Sequence, residues 1–118
     1  MIHKSIKVPL YNQRLQIIVC DDVEKEIDEV NKKFYTNCER FDFAGYAEAV
    51  DNYHLILLNK KHLKDETSAI STIAHEALHI TSFIFKRVGI IADVNNDEAQ
   101  AYLLSWIVEQ VYEQFKKH

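Results

Sequence analysis

The sequence predicts an α+β domain in which helices cover one face of a small, mainly antiparallel sheet. Three observations predict it. A β-branched apolar run spans 15–20, two β-prone runs flank Asp51-Asn52, and three amphipathic helical patterns follow or intervene. At 118 residues the chain has the length of one domain, over 1–118, with no internal repeat or linker. A domain of this size buries roughly two thirds of its unfolded surface, enough to fold without disulfide or metal staples. A metal here is therefore expected to be functional rather than required for folding.

The elements follow in order. LQIIVC over 15–20 is apolar and β-branched, the signature of a mostly buried strand. Asp21-Asp22 then supplies an N-cap, and Val23, Ile27, Val30 and Phe34 recur in steps of four, three and four. That spacing predicts a helix over 22–36, ending near Thr36-Asn37. The runs 41–50 and 53–58 around Asp51-Asn52 predict an antiparallel hairpin. A second helix is expected from Asp65 or Thr67 to Val88, with Gly89 as its stop. Its core stripe is predicted as Ile70, Ile73, Ala74, Ala77, Ile84 and Val88. Opposite runs a polar stripe of Ser68, Thr72, His75, His79, Ser82 and Lys86. A third helix, from Asn95-Asn96 to about Lys116, carries Tyr102, Leu103, Trp106, Ile107, Val111 and Phe115. It is apolar over much of its circumference, as a helix packed on two sides would be.

Composition narrows the function. Hydrophobic residues make up 47% and charged residues 27%, an ordinary globular composition that argues against a disordered chain. A net charge of −4 leaves no electrostatic footprint for nucleic acid or an anionic membrane. Two glycines and one proline exclude Gly-rich phosphate loops and proline-rich linkers. No apolar run is long enough to span a bilayer, and 1–7 lacks the apolar segment of a signal peptide. Cys20 and Cys38 match no zinc spacing and read as free thiols, Cys20 as a small buried hydrophobe. A cytoplasmic location is expected.

The motif that carries chemistry is His75-Glu76-Ala77-Leu78-His79, an H-E-x-x-H string inside the second helix. Residues four apart stack one turn above the other, so both imidazoles can reach one Zn²⁺. Glu76 projects beside the metal, placed to take a proton from zinc-bound water as general base. Composition alone would produce the string in roughly 2–3% of such chains, so its helical context decides its meaning. The histidines fall on the polar stripe of an amphipathic helix that a hairpin precedes and another helix follows.

A catalytic zinc takes three protein ligands and keeps a position for water. The downstream carboxylates before the third helix is well under way are Asp93, Asp97 and Glu98. Glu98, nineteen residues after His79 in the first turn of the third helix, is the expected third ligand, with Asp97 as the fallback. Asn95 with Glu98 also has the spacing of a capping box, and first-turn carboxylates are favoured by the helix dipole. Tyr102 lies one turn after Glu98, where its hydroxyl would orient a ligand or polarise a substrate carbonyl. His54 and His62 are expected to be partly exposed and outside the metal shell.

His75-Glu76-x-x-His79 followed by Glu98 resembles the gluzincin arrangement of thermolysin-like metallopeptidases, in which a glutamate on the next helix completes the zinc site. Small phage and prophage H-E-x-x-H proteins are nearer in likeness, through Glu98-x-x-x-Tyr102-Leu103. The compact metallopeptidases that cleave phage repressors are similar more loosely. The resemblance covers roughly 41–117 and implies a minimal zincin-like domain in a bacterial or phage-infected cell. One departure matters: where thermolysin-like enzymes carry an aspartate four residues after the glutamate ligand, this chain has Tyr102. The expected function is thus a small zinc-dependent hydrolase, a peptidase acting on a peptide or protein substrate. Tyr53-His54-Leu55 would align that substrate by strand addition. The competing expectation is a non-catalytic phage or prophage interaction protein that retains a zinc site. So small a chain leaves few residues for a specificity pocket, so a protein partner or homo-oligomer would complete recognition.

Overall fold

A computed structural model describes residues 1–51 and 53–118. It is α+β, with a four-stranded mixed sheet and three helices. Strands β1 (Ile2–Val8) and β2 (Gln13–Cys20) precede helix α1 (Val23–Phe34). Strands β3 (Gly45–Val50) and β4 (Tyr53–Asn59) lead through a short 3₁₀ turn, Lys60–His62, to α2 (Glu66–Val88) and α3 (Glu98–Lys117). The sheet order is β1-β2-β4-β3. Both outer pairs are antiparallel and the central β2–β4 pair is parallel.

Several expectations hold. Asp22 caps α1, accepting from the Glu24 N–H at 3.2 Å, and Val23, Ile27, Val30 and Phe34 form its buried stripe. Asp65 caps α2 through the Ser68 N–H at 2.8 Å, and Gly89 ends it at φ 81°. Val50 pairs with Tyr53, which makes the hairpin, though its first strand starts at Gly45 rather than Phe41; Asn52 of the turn lies outside the described residues. Cys20 and Cys38 are free and buried, and burial pushes their thiols up to about 12 and about 11.

Other expectations are corrected. The helices do not share one face of the sheet. α1 covers Ile18, Cys20, Leu55 and Leu57, while α2 and α3 cover Leu15, Ile17, Val19, Ile56 and Leu58 on the other side. β2 and β4 are near-continuous apolar runs in the middle of the sheet, so both of their faces need a covering layer. The strand β1 precedes the first strand that the sequence predicts. Its His3, Lys4 and Lys7 break the apolar alternation, and all three are exposed on an outer strand, where charge discourages edge pairing. On α2 the core stripe is rotated. Ile70 is 43% exposed and Ala74 and Val88 are exposed, whereas Ala69, Glu76, Ile80, Thr81 and Phe85 are buried. α3 buries one face only, Leu103, Ile107, Val111 and Phe115, and leaves Tyr102 74% exposed. No helix among the described residues is long and apolar enough to cross a membrane.

Candidate metal centre

α2 builds the site. Its caps set the helix, and the helix sets His75 and His79 one turn apart on the exposed side. Their Nε2 atoms are 3.3 Å apart and their rings meet edge to face, with centroids 4.9 Å apart. A tetrahedral ion with metal–nitrogen bonds of about 2.0–2.1 Å holds its nitrogens about 3.3–3.4 Å apart. The pair therefore already has the bite of a shared metal, and the donor set fits one.

Glu76 completes a group whose potential ligand atoms all lie within 4.8 Å of one another. Its Oε2 is 4.0 Å from His75 Nε2, and only 8% of the residue is exposed. Among the described residues its carboxylate accepts no hydrogen bond. Burial raises its pKa above the ordinary carboxylate value, and the neighbouring histidines pull the other way. An unpartnered carboxylate in this setting is a group held ready to take or give a proton.

Glycine at 45 makes room for it. A Cβ there would stand 2.7 Å from Thr72 Cγ2, 3.0 Å from Glu76 Cγ and 3.2 Å from Glu76 Oε2. β3 is thus an outer strand laid directly against the Glu76 side of α2. The sequence carried a signal for this, an isolated glycine in a β-prone run, which marks close approach of another element. The expected docking strand is corrected by the same topology. Tyr53-His54-Leu55 belongs to β4, which is bonded to β2 on one side and β3 on the other, so it has no free edge.

Behind the pair lies a stack the sequence did not reveal. His79 lies nearly parallel to Phe83, with centroids 6.3 Å apart, and Phe83 to His54 at 6.4 Å. His54 is fully buried, not partly exposed as expected, because it faces inward on a central strand. Its Nε2 bonds Gln13 Oε1 at 2.8 Å, while its Nδ1 is buried without a partner. Burial, with Arg87 nearby, pushes its pKa down to about 4. His62 pairs with Asp42 Oδ1 at 2.6 Å.

The structure does not bring Glu98 into the group. α2 continues nine residues past His79, about 13 Å of rise, before Gly89 ends it. α3 then begins beside the far end of α2, where Gln100 shares a cavity with Ser82, Phe85 and Lys86. Asp93, Asp97 and Glu98 are all exposed there. The capping box is not formed either: the structure places Asp97, not Asn95, at the N-cap, without a side-chain bond. Tyr102 lines an apolar groove of about 320 Å³ with Leu103 and Trp106 of α3 and Pro9, Leu10 and Tyr11 of the β1–β2 turn. Compared with known proteins, the chain matches no family model, no curated protein and no solved structure.

Proposed function

We propose that the chain is a small zinc-dependent hydrolase of peptide bonds, with a minimal zincin-like architecture. The observation that carries the reading is the 3.3 Å separation of His75 and His79 Nε2 beside a buried, unpartnered Glu76 carboxylate. His75 and His79 hold the ion. Zinc, when bound, acts as a Lewis acid on a carbonyl and lowers the pKa of coordinated water. Glu76 takes the proton of the attacking water and returns it to the leaving amine. The outer strand β3, against which Glu76 sits, offers the edge on which an extended substrate adds as a further strand. Glu98 is the proposed third ligand, with Asp97 as the fallback. Both stand at the far end of α2 in this structure, so zinc affinity of Glu98→Ala and Asp97→Ala compared with the parent tests whether either binds the ion.

The test compares parent and Glu76→Gln. Zinc content should stay at about one equivalent in both, while turnover on a peptide library falls about 10²–10⁴-fold in the variant. Zinc binding that survives removal of both histidines would place the metal elsewhere.

A second reading, a non-catalytic interaction protein of the phage or prophage kind that keeps a zinc site, is favoured by one observation. Leu10 is 95% exposed and borders the apolar groove that Tyr102 lines. Zinc binding without hydrolysis of any peptide would select it.

A further inference from the structure

We propose that the cavity at the C-terminal end of α2 is a subsite for an acidic side chain of the extended peptide. The proposal rests on the peptidase reading of the His75, Glu76 and His79 group. The cavity, of about 480 Å³, is lined by Ala49, Phe83, Lys86 and Arg87. It lies one residue away from the His75, Glu76 and His79 group, because Phe83, which lines it, is the ring stacked against His79 with centroids 6.3 Å apart. Ala49 is four residues along β3 from Gly45, the residue against Glu76, which is about 13 Å of strand. A peptide lying along β3 past Glu76 therefore reaches this cavity with a side chain three to four residues from its scissile bond.

The lining names the side chain. Phe83 and Ala49 offer apolar surface to a short methylene stem, and Lys86 and Arg87 offer charge to its end. The Arg guanidinium is a planar fork that matches a carboxylate in two-bond geometry. Neither cation has a carboxylate within 4.0 Å among the described residues, so in a chain of net charge −4 this is a local positive site. The charge reaches inward, since Arg87 helps keep His54 neutral behind Phe83. Cations in a last helical turn also complement the helix dipole. Lys32 and Lys33 at the end of α1 do that as well, but they do not line this cavity, whereas the α2 pair borders it beside the metal centre.

The test measures binding apart from hydrolysis. Fluorescein-capped, C-amidated ten-residue peptides of threonine and valine carry one glutamate or one glutamine, moved through the sequence. Their binding to zinc-loaded Glu76→Gln protein is followed by anisotropy at low ionic strength. Glutamate should bind about three- to tenfold more tightly than glutamine at one or two adjacent positions. In the Lys86→Glu/Arg87→Glu variant the preference should invert, so that a lysine peptide binds best. Both residues are exposed, and unchanged circular dichroism and zinc affinity check that this variant is folded. Equal binding of glutamate and glutamine peptides at every position, no binding of either, or a preference that survives charge reversal overturns the subsite. Cleavage by the parent without acidic preference removes the subsite and leaves the hydrolase. An acidic preference that inverts, with no cleavage by the parent, keeps the subsite and removes the hydrolase.

Discussion

α1 and α2 enter the fold in the same way. Each starts at an aspartate N-cap, Asp22 or Asp65, and ends at a left-handed residue, Tyr35 or Gly89. Each lays one stripe on a face of the same two central strands. Their buried stripes differ. That of α1 is wholly apolar, Val23, Ile27, Val30 and Phe34, whereas α2 spends one buried position on Glu76. Burying a carboxylate without a partner costs free energy that an apolar residue would not. α1 thus contributes packing alone, whereas α2 gives up stability at one turn, the turn on which the proposed hydrolase reading rests.

The contrast is sharpest in stability. In metal-free protein, Ile27→Ala should cost about 2–5 kcal/mol, the usual loss for a fully buried aliphatic side chain. Glu76→Gln should leave stability unchanged or raise it by up to about 1 kcal/mol, since the amide removes a buried charge. Denaturant midpoints check both. A loss above about 2 kcal/mol in Glu76→Gln would make Glu76 a structural residue and end the comparison.

The α2 face also carries a titration that the α1 face lacks. His54 stays neutral in the fold down to about pH 4, while the unfolded chain takes up that proton near pH 6.5. The unfolded state thus binds more protons between these values, and stability should fall as pH drops from 6.5 toward 4. The slope approaches about 1.4 kcal/mol per pH unit. Glu76 works in the opposite sense: its raised pKa means that protonation on acidification relieves its burial. In metal-free Glu76→Gln protein the slope should be reduced by His54→Gln, and a profile unchanged by that substitution, or flat between pH 6.5 and 4.5, would contradict a buried, neutral His54.

Contact between β3 and α2 can be tested by adding one methyl. Gly45→Ala should cost about 1–3 kcal/mol through overlap with Thr72 Cγ2, and Thr72→Ser, which removes that methyl, should recover part of the loss. A double-mutant cycle reads the coupling. The smallest effect is at the caps. Asp65→Ala and Asp22→Ala should each cost about 1 kcal/mol in thermal melts. Asp65 should cost more, because it accepts from both the Ser68 N–H and hydroxyl at 2.8 Å, while Asp22 accepts one bond at 3.2 Å.

Local rules sufficed wherever one element carried the answer. The aspartate caps, the Gly89 stop and the stripe of α1 were legible because backbone satisfaction and helical period are properties of neighbouring residues. The same period made it legible that His75 and His79 share one side of α2. Tertiary structure decided what depends on a second element. β1 was hidden because Lys4 interrupts the face that carries Ile2, Ile6 and Val8, while His3 and Lys7 expose the other, a mixture that an outer strand tolerates. Helices on both faces follow from the parallel pairing of β2 with β4, which no local pattern encodes. The burial of Glu76 depends on Gly45, thirty-one residues earlier, and the cavity at the end of α2 depends on β3 and α2 both lining it, through Ala49 on one side and Phe83, Lys86 and Arg87 on the other. Where Glu98 sits depends on how far α2 runs past His79 before α3 turns back, a length that local spacing to the histidines does not contain. Helical period places two imidazoles one turn apart on the same side of a helix, but a third group comes near them only as the packing of whole elements allows.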